Sequence, residues 1–297
     1  MKILLAVDGS DESYEAVRSL KYLSRSEEVL LVHVLDVPAP AYPVMMRELA
    51  QDIYRTLERT MRDDGTRLLE RVRSLLPMGT GPITEHLLVG SPADQIVELA
   101  EKHQVGLTLL GTRGFGPIKE RLLGSVAHRV LSFAPGAKFV LTRPLKTLRR
   151  ILLPLLGAHD AEQAFEFLQR KPFRNLPEIT LCSIVPTTRP PWTTDAVSAE
   201  QMEAHALRHA RDFLEDISAK LAALGYTTHS TATVGTAVAG ILTEAKAVDA
   251  DLILLGSRGR HGVVRMVLGS VSHALLHQGA YPLMIFSGVE QRTHALK

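Results

Sequence analysis

Cysteine, aromatic residues and net charge are all scarce in this chain, and each scarcity removes a class of protein. Cys182 is the sole cysteine among 297 residues, so neither a disulfide framework nor a CxxC site can form within one chain. It lies inside the apolar run Ile179-Thr180-Leu181-Cys182-Ser183-Ile184-Val185 and reads as a buried strand residue. Aromatics make up 5% of the chain and the formal net charge is +2. A nucleic-acid binder carries a clustered basic face interleaved with aromatics; here the densest basic stretch, Arg143 to Arg150, reads as a linker, so no nucleic-acid partner is expected. No apolar stretch reaches bilayer-spanning length, and the opening Lys2-Ile3-Leu4-Leu5-Ala6-Val7 is too short for a signal peptide. The expectation is a cytoplasmic protein with no membrane partner. Walker A, G-x-S-x-G and H-E-x-x-H patterns are absent too. Strand three ends in Val89-Gly90, where a phospho-receiver would need an aspartate.

What is present is a glycine-rich phrase that occurs twice. Gly111-Thr112-Arg113-Gly114 is followed after nine residues by Gly124-Ser125-Val126, and Gly256-Ser257-Arg258-Gly259 after nine by Gly269-Ser270-Val271. The copies stand 145 positions apart, and each follows an apolar run ending in Leu-Leu. A strand that breaks into glycines before a helix presents backbone N–H groups to a phosphate. Two domains of one type are therefore expected, 1–146 and 147–297, meeting within Arg143 to Arg150. Each is long enough to bury its own core.

The pattern of elements agrees with this. In the first half, strands are expected at Lys2–Val7, Val29–Leu35, His86–Val89, Leu107–Leu110 and Lys138–Thr142. Helices are expected from Ser10, as N-cap, to about Ser24, over 44–76, from Pro92 to about His103, and over Ser125–Phe133. The second half repeats the order, with Ile151–Leu155, Ile179–Val185 and Leu283–Phe286 as strands and a long helix near Ala196–Leu224. Strands alternating with helices predict parallel sheets covered on both faces. A ligand then belongs at the carboxyl ends of the strands, where strand order reverses. Asp8 ends strand one and Gly111 ends strand four.

Val7-Asp8, His33-Val34, Val89-Gly90-Ser91-Pro92 and the doubled phrase G-x2-G-x9-G-[ST] resemble the universal stress protein family in its tandem two-domain form, over nearly the whole chain. The resemblance implies two Rossmann-like domains of the adenine nucleotide alpha hydrolase-like type. Each would have a five-stranded parallel sheet in the order 3-2-1-4-5, helices on both faces, and the ability to bind ATP, with or without Mg. Carried over, it implies that Asp8 contacts the adenosine, that Val34 lies near the base beside Ala6, and that Gly111, Arg113, Gly114, Gly124, Ser125 and Val126 hold the phosphates. Glycine at 111 and 114 would permit close approach and positive φ. Ser125 would add a hydroxyl to the unpaired amides of its helix. The two halves are expected to pair through their last strands, and a homodimer of chains remains open.

Gly256, Arg258, Gly259, Gly269, Ser270 and Val271 preserve the phosphate side in the second half, but Leu156 stands where Asp8 does and Ile184 where Val34 does. Asp160 falls in the helix and is not expected to substitute. A hydrogen bond to a charged group is worth about 1.5–3 kcal/mol, which predicts a second site about ten- to a hundredfold weaker. Alternatives in view are a dimeric interaction module without nucleotide, and a slow ATPase or self-phosphorylating protein acting at Ser125. No general base stands beside the glycine loop for rapid catalysis. The pairs His205/His209 and His273/His277 fall short of a metal site's three or four ligands, so no metal centre is assigned. His33 reads as a satisfied core histidine.

Overall fold

The computed structural model describes residues 1–38, 47–112, 123–186, 196–256 and 268–286, with backbone alone for 47–50 and 196–199. Contacts divide the chain into two units, Met1–Pro144 and Leu145–Lys297.

In the first unit the strands are β1 (Lys2–Ala6), β2 (Glu28–Leu35), β3 (Ile83–Val89), β4 (Leu107–Gly111) and β5 (Ala137–Leu141). The helices are α1 (Asp11–Ser19), α2 (Arg47–Leu75), α3 (Pro92–Lys102) and α4 (Ser125–Phe133). The strands run parallel in the order β3-β2-β1-β4-β5. Leu5 of β1 is level with Leu31 on one side and Leu109 on the other. The chain therefore winds outward from β1 to β3 and crosses back to β4, and the order reverses between β1 and β4.

Side-chain alternation sorts the two faces. Leu30 and Val32 join Leu4, Leu110 and the α3 and α4 residues Ile96, Leu99, Ala127 and Val130 in one core cluster. The intervening His33 and Leu35 meet α2, which passes them at Gly65. Fully burying one such aliphatic side chain is worth about 1.5–3 kcal/mol, so slipping a strand by one residue would forfeit several at once.

Helix α1 starts at Ser10, whose hydroxyl accepts the Ser13 N–H at 3.2 Å, with Asp11 and Glu12 in the first turn. It ends at Ser19, short of the expected Ser24. A single 3-10 turn, Leu20–Tyr22, follows, and Leu23 leaves helical geometry to enter the core at 1% exposure. Strand β3 begins at Ile83, three residues before the expected His86. Thr84 and Glu85 near its start are polar and exposed, and β3 is paired on one side only within this unit.

The second unit repeats the plan. Its strands are β6 (Arg150–Pro154), β7 (Glu178–Val185), β8 (Thr228–Val234), β9 (Leu252–Gly256) and β10 (Leu283–Phe286). Its helices are α5 (Ala158–Gln169), α6 (Ala196–Ala223), α7 (Ala237–Ala247) and α8 (Ser270–Gln278). The order is β8-β7-β6-β9-β10, again parallel. Entry to this unit is held by Asp251, whose carboxylate accepts the Thr147 hydroxyl at 2.5 Å and the N–H groups of Arg149 and Arg150 at 2.7 and 3.0 Å. Burial opposes ionisation of Asp251, but these donors prevail and hold the carboxyl below its ordinary value. Cys182 is buried on β7, and its burial pushes the thiol well above the usual range, which makes it inert. Among the described residues no helix is long and apolar enough to cross a membrane.

Candidate functional site

The crevice above the β1/β4 reversal in the first unit is assembled from three short segments. Continuing the Leu5–Leu109 register two residues further brings Val7 level with Gly111, one residue before Asp8. The Val7 N–H donates to Val32 O at 2.9 Å, and its carbonyl lies 2.8 Å from His33 Nδ1. A carbonyl can only accept, so His33 carries its proton on Nδ1. This partner satisfies the histidine within the strand.

Beyond Val7 the backbone turns through Gly9, at φ 82°, the left-handed conformation that favours glycine. Asp8 Oδ1 accepts two bonds from Ser10, the backbone N–H at 3.0 Å and the hydroxyl at 2.6 Å. Among the described residues no hydrogen bond reaches Oδ2. The same Ser10 hydroxyl caps α1 through Ser13. One serine thus ties the carboxylate to the helix.

Gly111 is held against that helix. A Cβ at this position would stand 2.7 Å from Glu12 Cβ, 2.9 Å from Glu12 C and 3.0 Å from Ser13 N. Gly111 does not adopt positive φ, so the expectation of a left-handed residue here is corrected. Glycine is required because the first turn of α1 crosses directly over the end of β4.

The chain leaves at Thr112 and returns at Gly124, whose N–H donates to Thr112 O at 3.0 Å. Gly124 precedes α4 with φ −61° and ψ 151°; no side chain caps the helix and no acid lies in its first turn. Ser125 is exposed there and Val126 half-buried. Ala6, Val34 and Val126 pack together against the α3/α4 core cluster, forming an apolar rim beside the open helix end. Such an end presents unpaired N–H groups and a partial positive charge, which suits an anion, while the rim suits a flat apolar group. Arg113, Gly114, Arg258 and Gly259 lie outside the described residues.

In the second unit the same helix end recurs. Gly269 precedes α8 with φ −64° and ψ 154°, without a side-chain cap or a first-turn acid, and Ser270 is exposed. Val271 is half-buried behind it. The opposite wall has changed. Leu156 is 53% exposed, and its N–H donates to Asp160 Oδ2 at 3.2 Å. Asp160 Oδ1 lies 3.3 Å from where a Cβ on Gly256 would be, so a carboxylate fills the space that the α1 backbone takes over Gly111. Asp160 aligns with Glu12 rather than Asp8, yet it supports the turn that Asp8 supports in the first unit. Ile184 is 8% exposed and lies beneath Gly240 of α7, where a Cβ would come within 2.8 Å of it. Its counterpart Val34 is only half-buried.

Ser10 and Asp160 join the site through bonds within their own turns, and His33 and Gly240 through contacts between distant elements. Ser10 left a sequence signal as a helix cap, and Gly240 left none. The exposed pair His205/His209 lies on α6, while His273 and His277 on α8 bring their Nε2 atoms to 3.1 Å. Among the described residues no group of three or more metal-ligating side chains occurs.

Comparison with known proteins matches this architecture. The model of the Universal stress protein family matches residues 1–136 and again 147–287. A universal stress protein of Methanocaldococcus jannaschii is 32% identical over 148 residues, covering 49% of this chain and 84% of that protein. One from Mycolicibacterium smegmatis is 23% identical over 300 residues, covering 95% and 96%. The solved structure of a universal stress protein from Archaeoglobus fulgidus covers 97% of both chains with a TM-score of 0.64 at 18% identity. The chain belongs to the universal stress protein family and carries two copies of its domain in one polypeptide.

Proposed function

We propose that the protein is a cytoplasmic, ATP-binding regulatory protein whose first unit holds the nucleotide and whose second unit is a degenerate copy. The observation that carries this reading is the shared anchoring of Asp8 and Gly111 to the first turn of α1. It supports a reading in which a carboxylate oxygen, an apolar rim and an uncapped helix end serve one ligand. In this reading Asp8 Oδ2 accepts a donor from the nucleoside, and Ala6 and Val34 face the base. The amides of Ser125 and Val126, with the Ser125 hydroxyl, bind phosphate oxygens, joined by Arg113 and Gly114. These donors fit a polyphosphate, and Mg would neutralise part of its charge. Gly256, Arg258, Gly259, Gly269, Ser270 and Val271 form the equivalent phosphate side of the second unit, without the Asp8 carboxylate.

Calorimetric titration with ATP, with and without Mg, tests the reading. One tight site per chain is expected, with a second about ten- to a hundredfold weaker. Two equal sites would overturn the asymmetry. Asp8→Ala is expected to weaken the tight site by a similar factor, and unchanged affinity would remove Asp8 from the site.

A further inference from the structure

Ser10 is the point through which three features of the first unit are joined. Its hydroxyl donates to Asp8 Oδ1 at 2.6 Å and accepts the Ser13 N–H at 3.2 Å, and Ser13 N is among the atoms crossing Gly111 most closely. With its backbone N–H also on Asp8 Oδ1 at 3.0 Å, Ser10 occupies one carboxylate oxygen twice. The carboxylate cannot then rotate to exchange its oxygens without breaking two bonds. Oδ2 is left as the oxygen available to a ligand.

The second unit supplies an internal control. Where the carboxylate is absent, at Leu156, the serine is absent as well, replaced by Ala158. Helix α5 still forms, preceded by Gly157 in extended geometry without a side-chain cap. A serine needed only to start the helix would have remained useful in both units. Its pairing with the carboxylate points to a second role.

We propose that Ser10 is a positioning residue for the ligand-facing carboxylate of Asp8, and thereby sets the affinity of the first unit for adenine nucleotides. This rests on the nucleotide reading above. Ser10 touches no ligand in this scheme. It fixes which Asp8 oxygen is presented and holds it still, so that binding does not have to order the carboxylate.

Three substitutions separate positioning from helix capping. Ser10→Ala removes both functions. Ser10→Gly removes the hydroxyl donor but keeps an N-cap that is weaker by only a few tenths of a kcal/mol. Ser10→Thr keeps donor and acceptor together. Calorimetry with ATP and thermal melting are run on the full chain, each also in an Asp8→Ala background. Ser10→Ala and Ser10→Gly are both expected to weaken ATP binding by about three- to tenfold, although Ser10→Gly hardly changes the melting temperature. Ser10→Thr is expected to restore affinity, and none of the three should weaken binding further once Asp8 is alanine.

If Ser10→Gly binds ATP as the wild type does, or if the losses at Ser10 and Asp8 simply add, the positioning role is overturned while the nucleotide reading survives. If the wild-type chain binds no ATP, both fall together.

Discussion

The two units share the uncapped helix end after the second glycine of the phrase and differ at the facing turn after their first strands, and the difference sets the proposed nucleotide site of the first unit against its counterpart. Gly124 and Gly269 precede their helices with dihedral angles within a few degrees of each other, and neither helix end has a side-chain cap. Across the crevice the first unit has Asp8, Ser10 and His33, bonded to one another's segments, where the second has Leu156, Ala158 and Ser183. The losses are correlated. Once the carboxylate is gone, the serine that restrains it has nothing to hold. The rim changes as well: Val34 is half-buried, whereas Ile184 is pressed beneath α7 at Gly240. A flat group that could lie against Val34 would have to displace packed atoms to reach Ile184. The second unit thus keeps its helix end but lacks the carboxylate at 156 and covers Ile184, which under the proposed function leaves it the weaker nucleotide site.

The comparison is broken most forcefully at the glycines that end β4 and β9. Gly111→Ala forces a methyl group into the α1 backbone, which cannot yield without moving the helix. Overpacking of this kind costs about 1–3 kcal/mol, and it should also disturb Asp8 through Ser13 and Ser10. Gly256→Ala meets the end of the Asp160 side chain and an edge of Phe286, at 3.3 and 3.4 Å. Both can shift, so a cost below about 1 kcal/mol is expected. Hydrogen exchange of the β1 and β6 amides would read the two units separately. Equal losses in both would mean that α1 and α5 approach their strands alike.

The fold was legible in the sequence because buried parallel strands are nearly continuous apolar runs, and those of β1, β2, β4 and β9 stand out plainly. Leu283–Phe286 and Ser125–Phe133 have the expected ends. The start of β3 was hidden, since an edge strand with Thr84 and Glu85 facing outward carries little apolar signal. At the site, Asp8 could be singled out by its place after an apolar strand. The reason for Gly111 could not, because it lies in a contact with Glu12 and Ser13 from a distant part of the chain. The position of Asp160 in the helix was clear, while its bond back to Leu156 depends on how the turn folds. Exchanging Val34 for Ile184 looked conservative as a pair of letters. Only the glycine of α7 above it shows that the larger side chain is covered.

Rebuilding the lost wall should sharpen the comparison with a smaller effect. In an Asp8→Ala background, which weakens the first site, Leu156→Asp with Ala158→Ser is expected to strengthen ATP binding by the second unit by up to about tenfold. The gain stays incomplete because Ile184 remains covered. Calorimetry that finds affinity equal to the wild-type first site would mean that the burial of Ile184 carries no weight. No gain at all would mean that the carboxylate is not what distinguishes the units.

The smallest expected difference lies at the entrances to the two units and shows in their response to acid. Both units share a backbone bond here, the Gly106 N–H to Lys2 O at 3.0 Å in the first and the Asp251 N–H to Arg150 O at 2.9 Å in the second. Glycine at 106 offers no side chain, whereas the Asp251 carboxylate adds bonds from Thr147, Arg149 and Arg150. Its folded pKa lies below the ordinary 3.8, so the unfolded chain binds the proton more readily. The stabilisation is therefore present above the ordinary value and is lost as pH falls through the folded one. Because Asp251 is partly solvated, Asp251→Asn is expected to cost only about 1 kcal/mol at neutral pH. That cost should shrink as the medium becomes acidic enough to protonate the wild-type carboxyl. Denaturant melts followed by hydrogen exchange at β6 and β1 across this range would show it, with β6 losing protection in the variant and β1 unchanged. A cost independent of pH would assign Asp251 a packing role instead of a charged one.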